Sequence, residues 1–120
     1  MAHMACDVAV MCADLGASAR FYTALGANLG VEDGGDDADY FFGQLSSLLL
    51  TLVPAAKPDV VTRNLYWGVE VPCLFEVWTR LDEAGFGDTY QLHMCETQVY
   101  MVAFDPDGNR VTVRERQRRC

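Results

Sequence analysis

His93 is the one histidine beyond the N-terminal Met1–Met4 stretch. Its imidazole would suit a proton-transfer base near neutral pH. A lone histidine on a strand is as a rule a hydrogen-bonded or surface residue, so we assign it no catalytic role and keep it as a ligand contact. Asp7 opens an apolar strand-like segment, where a carboxylate could anchor an amine or guanidinium through a charge-assisted hydrogen bond. Met11 shares its parity. Glu70 shares the parity of Tyr66 and Gly68, so it would either meet a ligand cation beside Tyr66 or sit at a solvated strand end. Tyr66, with Tyr40 or Phe42, would form an aromatic platform for flat rings, cationic ones above all. Tyr40 and Phe42 share one face of a short strand and Phe41 takes the other; which face lines a cavity is open at this stage. No Gly-rich phosphate loop, nucleophile elbow or Ser/His/Asp order occurs. The five cysteines form no CxxC pair, which is neither a zinc spacing nor a disulfide framework; they read as small packed hydrophobes.

Hydrophobic spacing places these residues on elements. Strands are expected at Asp7–Cys12, Asn28–Glu32, Asp39–Phe42 and Ser46–Val53, with a helix over Ala17–Leu25 capped by Asp14 and stopped by Gly26. Pro54–Arg63 reads as a linker. The order then recurs: a strand at Asn64–Val71, a helix at Leu74–Ala84, and strands at Thr89–Cys95, Gln98–Phe104 and Arg110–Arg116. On the second helix Leu74, Val77, Trp78 and Leu81 are expected to face the core. Asp105–Asn109 is a tight turn. The chain is therefore an α+β domain of two βαβββ modules, about residues 5–53 and 64–116, joined by 54–63. Each helix covers one face of its sheet and leaves the other face needing cover.

Composition agrees with a single soluble domain. The 120 residues are 51% hydrophobic and 22% charged. The longest apolar runs, Val8–Ala13 and Val99–Phe104, are too short to span a bilayer, and no signal peptide pattern opens the chain, so a cytoplasmic location and no membrane partner are expected. The net charge of −8 disfavours nucleic acid and would attract a cationic small molecule. Arg110, Arg114, Arg116, Arg118 and Arg119 crowd the last eleven residues and read as a solvated end.

Three stretches carry a resemblance: VAVMCADLGASARFYTALG (residues 8–26), VEVPCLFEVWTRLDEAG (69–85) and FDPDGNRVTV (104–113). Together they are similar to the vicinal oxygen chelate superfamily, the group of glyoxalases, bleomycin resistance proteins and extradiol dioxygenases. The resemblance implies two modules curved around a cavity, commonly in a homodimer. Metal enzymes of that group take one ligand from each of four strands, and the corresponding positions here are Asp7, Thr51, Tyr66 and Thr112. Threonine hydroxyls and a neutral phenol are poor donors for a divalent ion, so the expectation is no metal and no cofactor. The leading reading is a metal-independent binder that sequesters a cationic or planar aromatic, antibiotic-like molecule. Its expected contacts are Asp7, Met11, Tyr40, Phe42, Thr51, Tyr66, Glu70, His93 and Thr112. The alternative is a metal-dependent lyase, isomerase or dioxygenase of the same fold drawing on Asp7, Glu70, His93 or Glu96. A metal-free enzyme with His93 or Glu70 as base, and a ligand-free interaction module, complete the set.

Overall fold

The first strand, β1 (Cys6–Cys12), alternates as its sequence requires: Val10 and Cys12 are buried while Asp7, Ala9 and Met11 are exposed. The computed structural model describes residues 6–87, 90–95 and 98–116. Met1–His3, Thr89, Glu96, Arg118, Arg119 and Cys120 lie outside the described residues. Helix α1 (Leu15–Leu25) starts where the Asp14 carboxylate accepts from the Ala17 N–H at 3.1 Å. It ends at Gly26, whose φ of 116° is left-handed and free of strain only for glycine. Strands β2 (Asn28–Glu32), β3 (Tyr40–Leu45) and β4 (Leu48–Pro54) complete the first module. The second repeats it with β5 (Tyr66–Val71), α2 (Leu74–Glu83), β6 (Tyr90–Cys95), β7 (Gln98–Phe104) and β8 (Arg110–Glu115).

The two sheets have the same topology. The first runs β1–β4–β3–β2 and the second β5–β8–β7–β6, with β1·β4 and β5·β8 parallel and the remaining pairs antiparallel. This is the α+β pair of βαβββ modules expected from the sequence. Expected and observed element ends differ by a few residues, most at β3, which runs on to Leu45. Its Gly43 lies opposite Leu29, and a Cβ there would collide with the Asn28 carbonyl oxygen, so only glycine lets β2 and β3 come this close.

Both helices and the inner faces of both sheets share one core, from Val10, Leu50 and Leu52 through Phe21, Tyr22 and Leu25 to Val77, Leu81, Met101, Val111 and Val113. The other face of each sheet is left without a helix. Trp78 departs from expectation: it is 38% exposed and makes an edge-on contact with the exposed Phe75 at 6.0 Å. On α2 the buried stripe is only Leu74, Val77 and Leu81. The 54–63 segment is tied to β1 at both ends: the Ala55 N–H continues the β1·β4 ladder by donating to the Cys12 carbonyl, and the Thr62 N–H donates to the Met11 carbonyl on the strand's other side, each at 2.9 Å. The Met11 N–H in turn donates to Thr62 Oγ1 at 2.8 Å. A single 3-10 turn, Pro58–Val60, occupies its middle. Among the described residues no helix is long and apolar enough to cross a membrane.

Candidate functional site

Strand parity puts all nine candidate contacts on the faces without helices. On the first sheet Asp7 and Met11 (β1), Thr51 (β4), and Tyr40 and Phe42 (β3) share the open face. Thr51 stands directly between Ala9 and Phe42. Phe41 is the residue that turns inward, where it packs on the core. Tyr40 borders a cavity of about 450 Å³ whose wall is Val53, Pro54 and Ala55. Phe42 and Met11 are more than a third exposed.

On the second sheet the open face carries Tyr66 and Glu70 (β5), Thr112 (β8) and His93 (β6). Tyr66 and Thr112 line one cavity of about 390 Å³ together with Gly68, Arg110 and Arg114. Glu70 borders a neighbouring cavity of about 470 Å³ between Arg114 and the Ser46–Leu48 turn. The candidates thus form a group of five on the first sheet and a group of four on the second.

Four more residues make up the second group's surroundings, none of them singled out from the sequence as a contact. The Arg110 guanidinium lies 5.5 Å from the centroid of the Tyr66 ring. Arg114 stands directly across from Glu70 on one side and Tyr100 on the other. Tyr100 stacks on His93, with centroids 5.1 Å apart and planes 14° from parallel. Gly68, opposite Thr112, leaves a gap in the floor between these side chains. Arg110 and Arg114 alternate with the buried Val111 and Val113, as the spacing of the last strand predicts, and so share the open face with Thr112; Arg114 is at the same time solvent-exposed. Parity in the sequence puts both arginines on that face, but the basic run reads as a solvated end, and only Thr112 of that strand is named as a contact.

A buried polar turn sets the position of Tyr66 and Arg110. Asp105 is 4% exposed. Its carboxylate accepts from the Asp107 and Asn109 N–H groups, from Asn109 Nδ2, and from the Tyr22 hydroxyl at 2.7 Å. Asn109 reaches onward, with Nδ2 donating to the Thr62 carbonyl and Oδ1 accepting from the Leu65 N–H. The Arg110 N–H then donates to the Leu65 carbonyl at 2.8 Å. Asp107 ties the turn to β1 by accepting from the Ala13 N–H. Burial, reinforced by the neighbouring Asp105, pushes the Tyr22 phenol far above its ordinary pKa. Burial likewise raises Asp107, and lifts the Cys12 thiol to about 11.

The four positions corresponding to metal ligands do not suit a divalent ion. Asp7 is their single carboxylate, and the Arg110 cation lies over Tyr66 beside Thr112, where it would repel a metal. Among the described residues no three His, Cys, Asp or Glu side chains come together.

Comparison with known proteins bears on the whole chain. None of the curated proteins compared matches it in sequence. Three solved structures are similar in fold. Oxidase ChaP-H2 is 18% identical, with 98% of this chain and 96% of that one covered and a TM-score of 0.72. TnmS3, an antibiotic binding protein from Streptomyces sp. CB03234, is 18% identical over 98% of each chain with a TM-score of 0.69. A bleomycin resistance determinant encoded on the transposon Tn5 is 16% identical, covering 97% of this chain and all of that one, with a TM-score of 0.70. Identities this low establish the fold alone. The family model for the glyoxalase/bleomycin resistance protein/dioxygenase superfamily matches residues 2–113, and the chain belongs to that superfamily.

Proposed function

We propose that the protein binds a flat aromatic, antibiotic-like small molecule without help from a metal and acts by sequestering it, as a homodimer in the cytoplasm. The observation that carries this reading is the pair of open sheet faces, which present aromatic side chains to solvent. Tyr66 is 68% and Phe42 37% exposed. Exposed rings on a rigid strand cost little conformational entropy when a ligand stacks on them. Asp7 is available to a basic group of the ligand, and Thr51 and Thr112 to its hydrogen-bonding groups. A scaffold that holds a drug need only deny it to its target, and no bond has to be made or broken for that. Two of the three similar structures carry antibiotic binding or resistance in their own names.

A thermal-shift panel of planar antibiotics and heteroaromatic compounds, run with a chelator and with added divalent ions, tests the reading. A binder present at 100 times its Kd should stabilise the fold by about 2.7 kcal/mol, a rise of roughly 10 °C for a domain of this size. The rise should be the same in chelator, and the compound should be recovered unchanged. Binding or conversion that needs a divalent ion would replace sequestration with the metal-dependent lyase, isomerase or dioxygenase reading, and conversion in chelator would replace it with a metal-free enzyme.

A further inference from the structure

We propose that the open face of the second sheet receives an anionic group of an aromatic ligand, a carboxylate or an acidic phenolate, seated over Gly68 between Arg110 and Arg114. The inference rests on the aromatic-binding reading above and specifies the charge that this face selects.

The side chains form a cleft with distinct walls and floor. Thr112 on β8 and Gly68 on β5 are direct neighbours across the parallel ladder and supply the floor. Tyr66 and Arg110 are the pair on one side of it, Glu70 and Arg114 the pair on the other. Arg110 and Arg114 each sit two residues from Thr112, about 6.6 Å along the strand. An arginine side chain spans that distance, so both guanidinium groups can reach a group placed over the floor. Arg114 already leans that way: its Nη1 is 3.7 Å from where a Cβ on Gly68 would stand. Arg110 rests on Tyr66, which fixes one wall as a ring with a cation on it. A ligand ring edge-on to Tyr66, its acid directed at the floor, would meet both guanidinium groups and the Thr112 hydroxyl.

The local charge favours this over a cation. Among the described residues Arg114 makes no ion pair, although Glu70 stands across from it; the one ion pair they show is Arg80–Glu76. An arginine with no bound carboxylate is free to accept one from a ligand. The net charge of −8 opposes an anion at long range. That field fades over a Debye length of about 8 Å at physiological ionic strength, well inside the dimensions of the molecule, while two guanidinium groups at contact with the anion are screened less.

The test compares 2-naphthoate with its neutral isostere 2-naphthamide, by isothermal titration, on the full chain. 2-Naphthoate should bind at least about tenfold more tightly at low salt, and lose part of that advantage as salt rises. Arg114→Gln and Arg110→Gln should each reduce the preference for 2-naphthoate over 2-naphthamide, and the double variant should abolish it. Both arginines lie outside the core, and a melting curve on each variant verifies the fold. Equal or tighter binding of naphthamide overturns the charge assignment and leaves the aromatic-binding reading intact. A preference that survives in the double variant overturns the placement. Binding of neither probe overturns the inference and counts against the aromatic-binding reading as well.

Discussion

At the scale of single residues, the Asp105 carboxylate is where stability and site geometry meet. It is buried, accepts four hydrogen bonds, and sets the turn from which Arg110 and Tyr66 project. Tyr22→Phe removes one of those donors without changing the packing of the ring, so a buried carboxylate oxygen loses a partner. The expected cost is about 1–3 kcal/mol, seen as a drop in Tm of several degrees. The same pair predicts a response to alkali. The folded protein holds Tyr22 neutral well above its ordinary pKa, whereas the unfolded chain ionises near 10. The stabilisation is thus complete below about pH 10 and declines as pH rises beyond it. In Tyr22→Phe that alkaline decline should be shallower, leaving the smaller share from Cys12, whose thiol is also raised. Equal slopes in the two proteins would show that Tyr22 is not held neutral by the fold. The turn itself was legible from Pro106, Gly108 and Asn109. The role of Asp105 was not, because its partner Tyr22 lies 83 residues away and nothing local marks the pairing.

At the scale of elements, strand parity carried most of what sequence could supply. Once Val10 and Val111 are taken as inward, Asp7, Met11 and Thr112 must face outward, and they do. Parity failed to choose between Phe41 and its neighbours because an aromatic residue suits either face of a half-buried strand; only the register against Leu52 decides it. Helical spacing failed differently for Trp78. The ten-residue helix α2 buries a stripe three residues long, and its interface with α1 is taken up by Arg80, whose Nε donates to the Ala24 carbonyl. Large side chains next to that stripe are left at the rim. Gly43 and Gly30 give a prediction at this scale. Both lie in the β2–β3 hairpin, but a Cβ at Gly43 meets the Asn28 backbone, while one at Gly30 meets nothing within 4 Å. Gly43→Ala should therefore cost about 1–3 kcal/mol through forced separation of the strands, and Gly30→Ala less than about 0.5 kcal/mol. Chemical denaturation of the two variants checks this; similar midpoints would mean that β2 is held loosely enough to move aside.

At the scale of the whole molecule, charge acts on folding and on binding in opposite senses. Residues 1–62 carry eight acids against two bases, and residues 63–120 nine against seven, so the repulsion is concentrated in the first module. Little offsets it: the one ion pair among the described residues, Arg80–Glu76 at 3.8 Å, is exposed on both sides and contributes at most about 1 kcal/mol. Added salt screens repulsion between exposed carboxylates more than it weakens so few attractions. Raising NaCl from about 10 to 200 mM, a range over which the Debye length falls from roughly 30 to below 10 Å, should therefore raise Tm. Over the same range the arginine-dependent advantage of 2-naphthoate should fall, because there the ions screen an attraction. The two readouts separate a global effect from a local one. A general change in protein conformation with salt would move both in the same direction, whereas a self-repelling acidic domain with one cationic cleft moves them apart. Should Tm fall as salt is added, attraction and not repulsion would govern the surface of this domain.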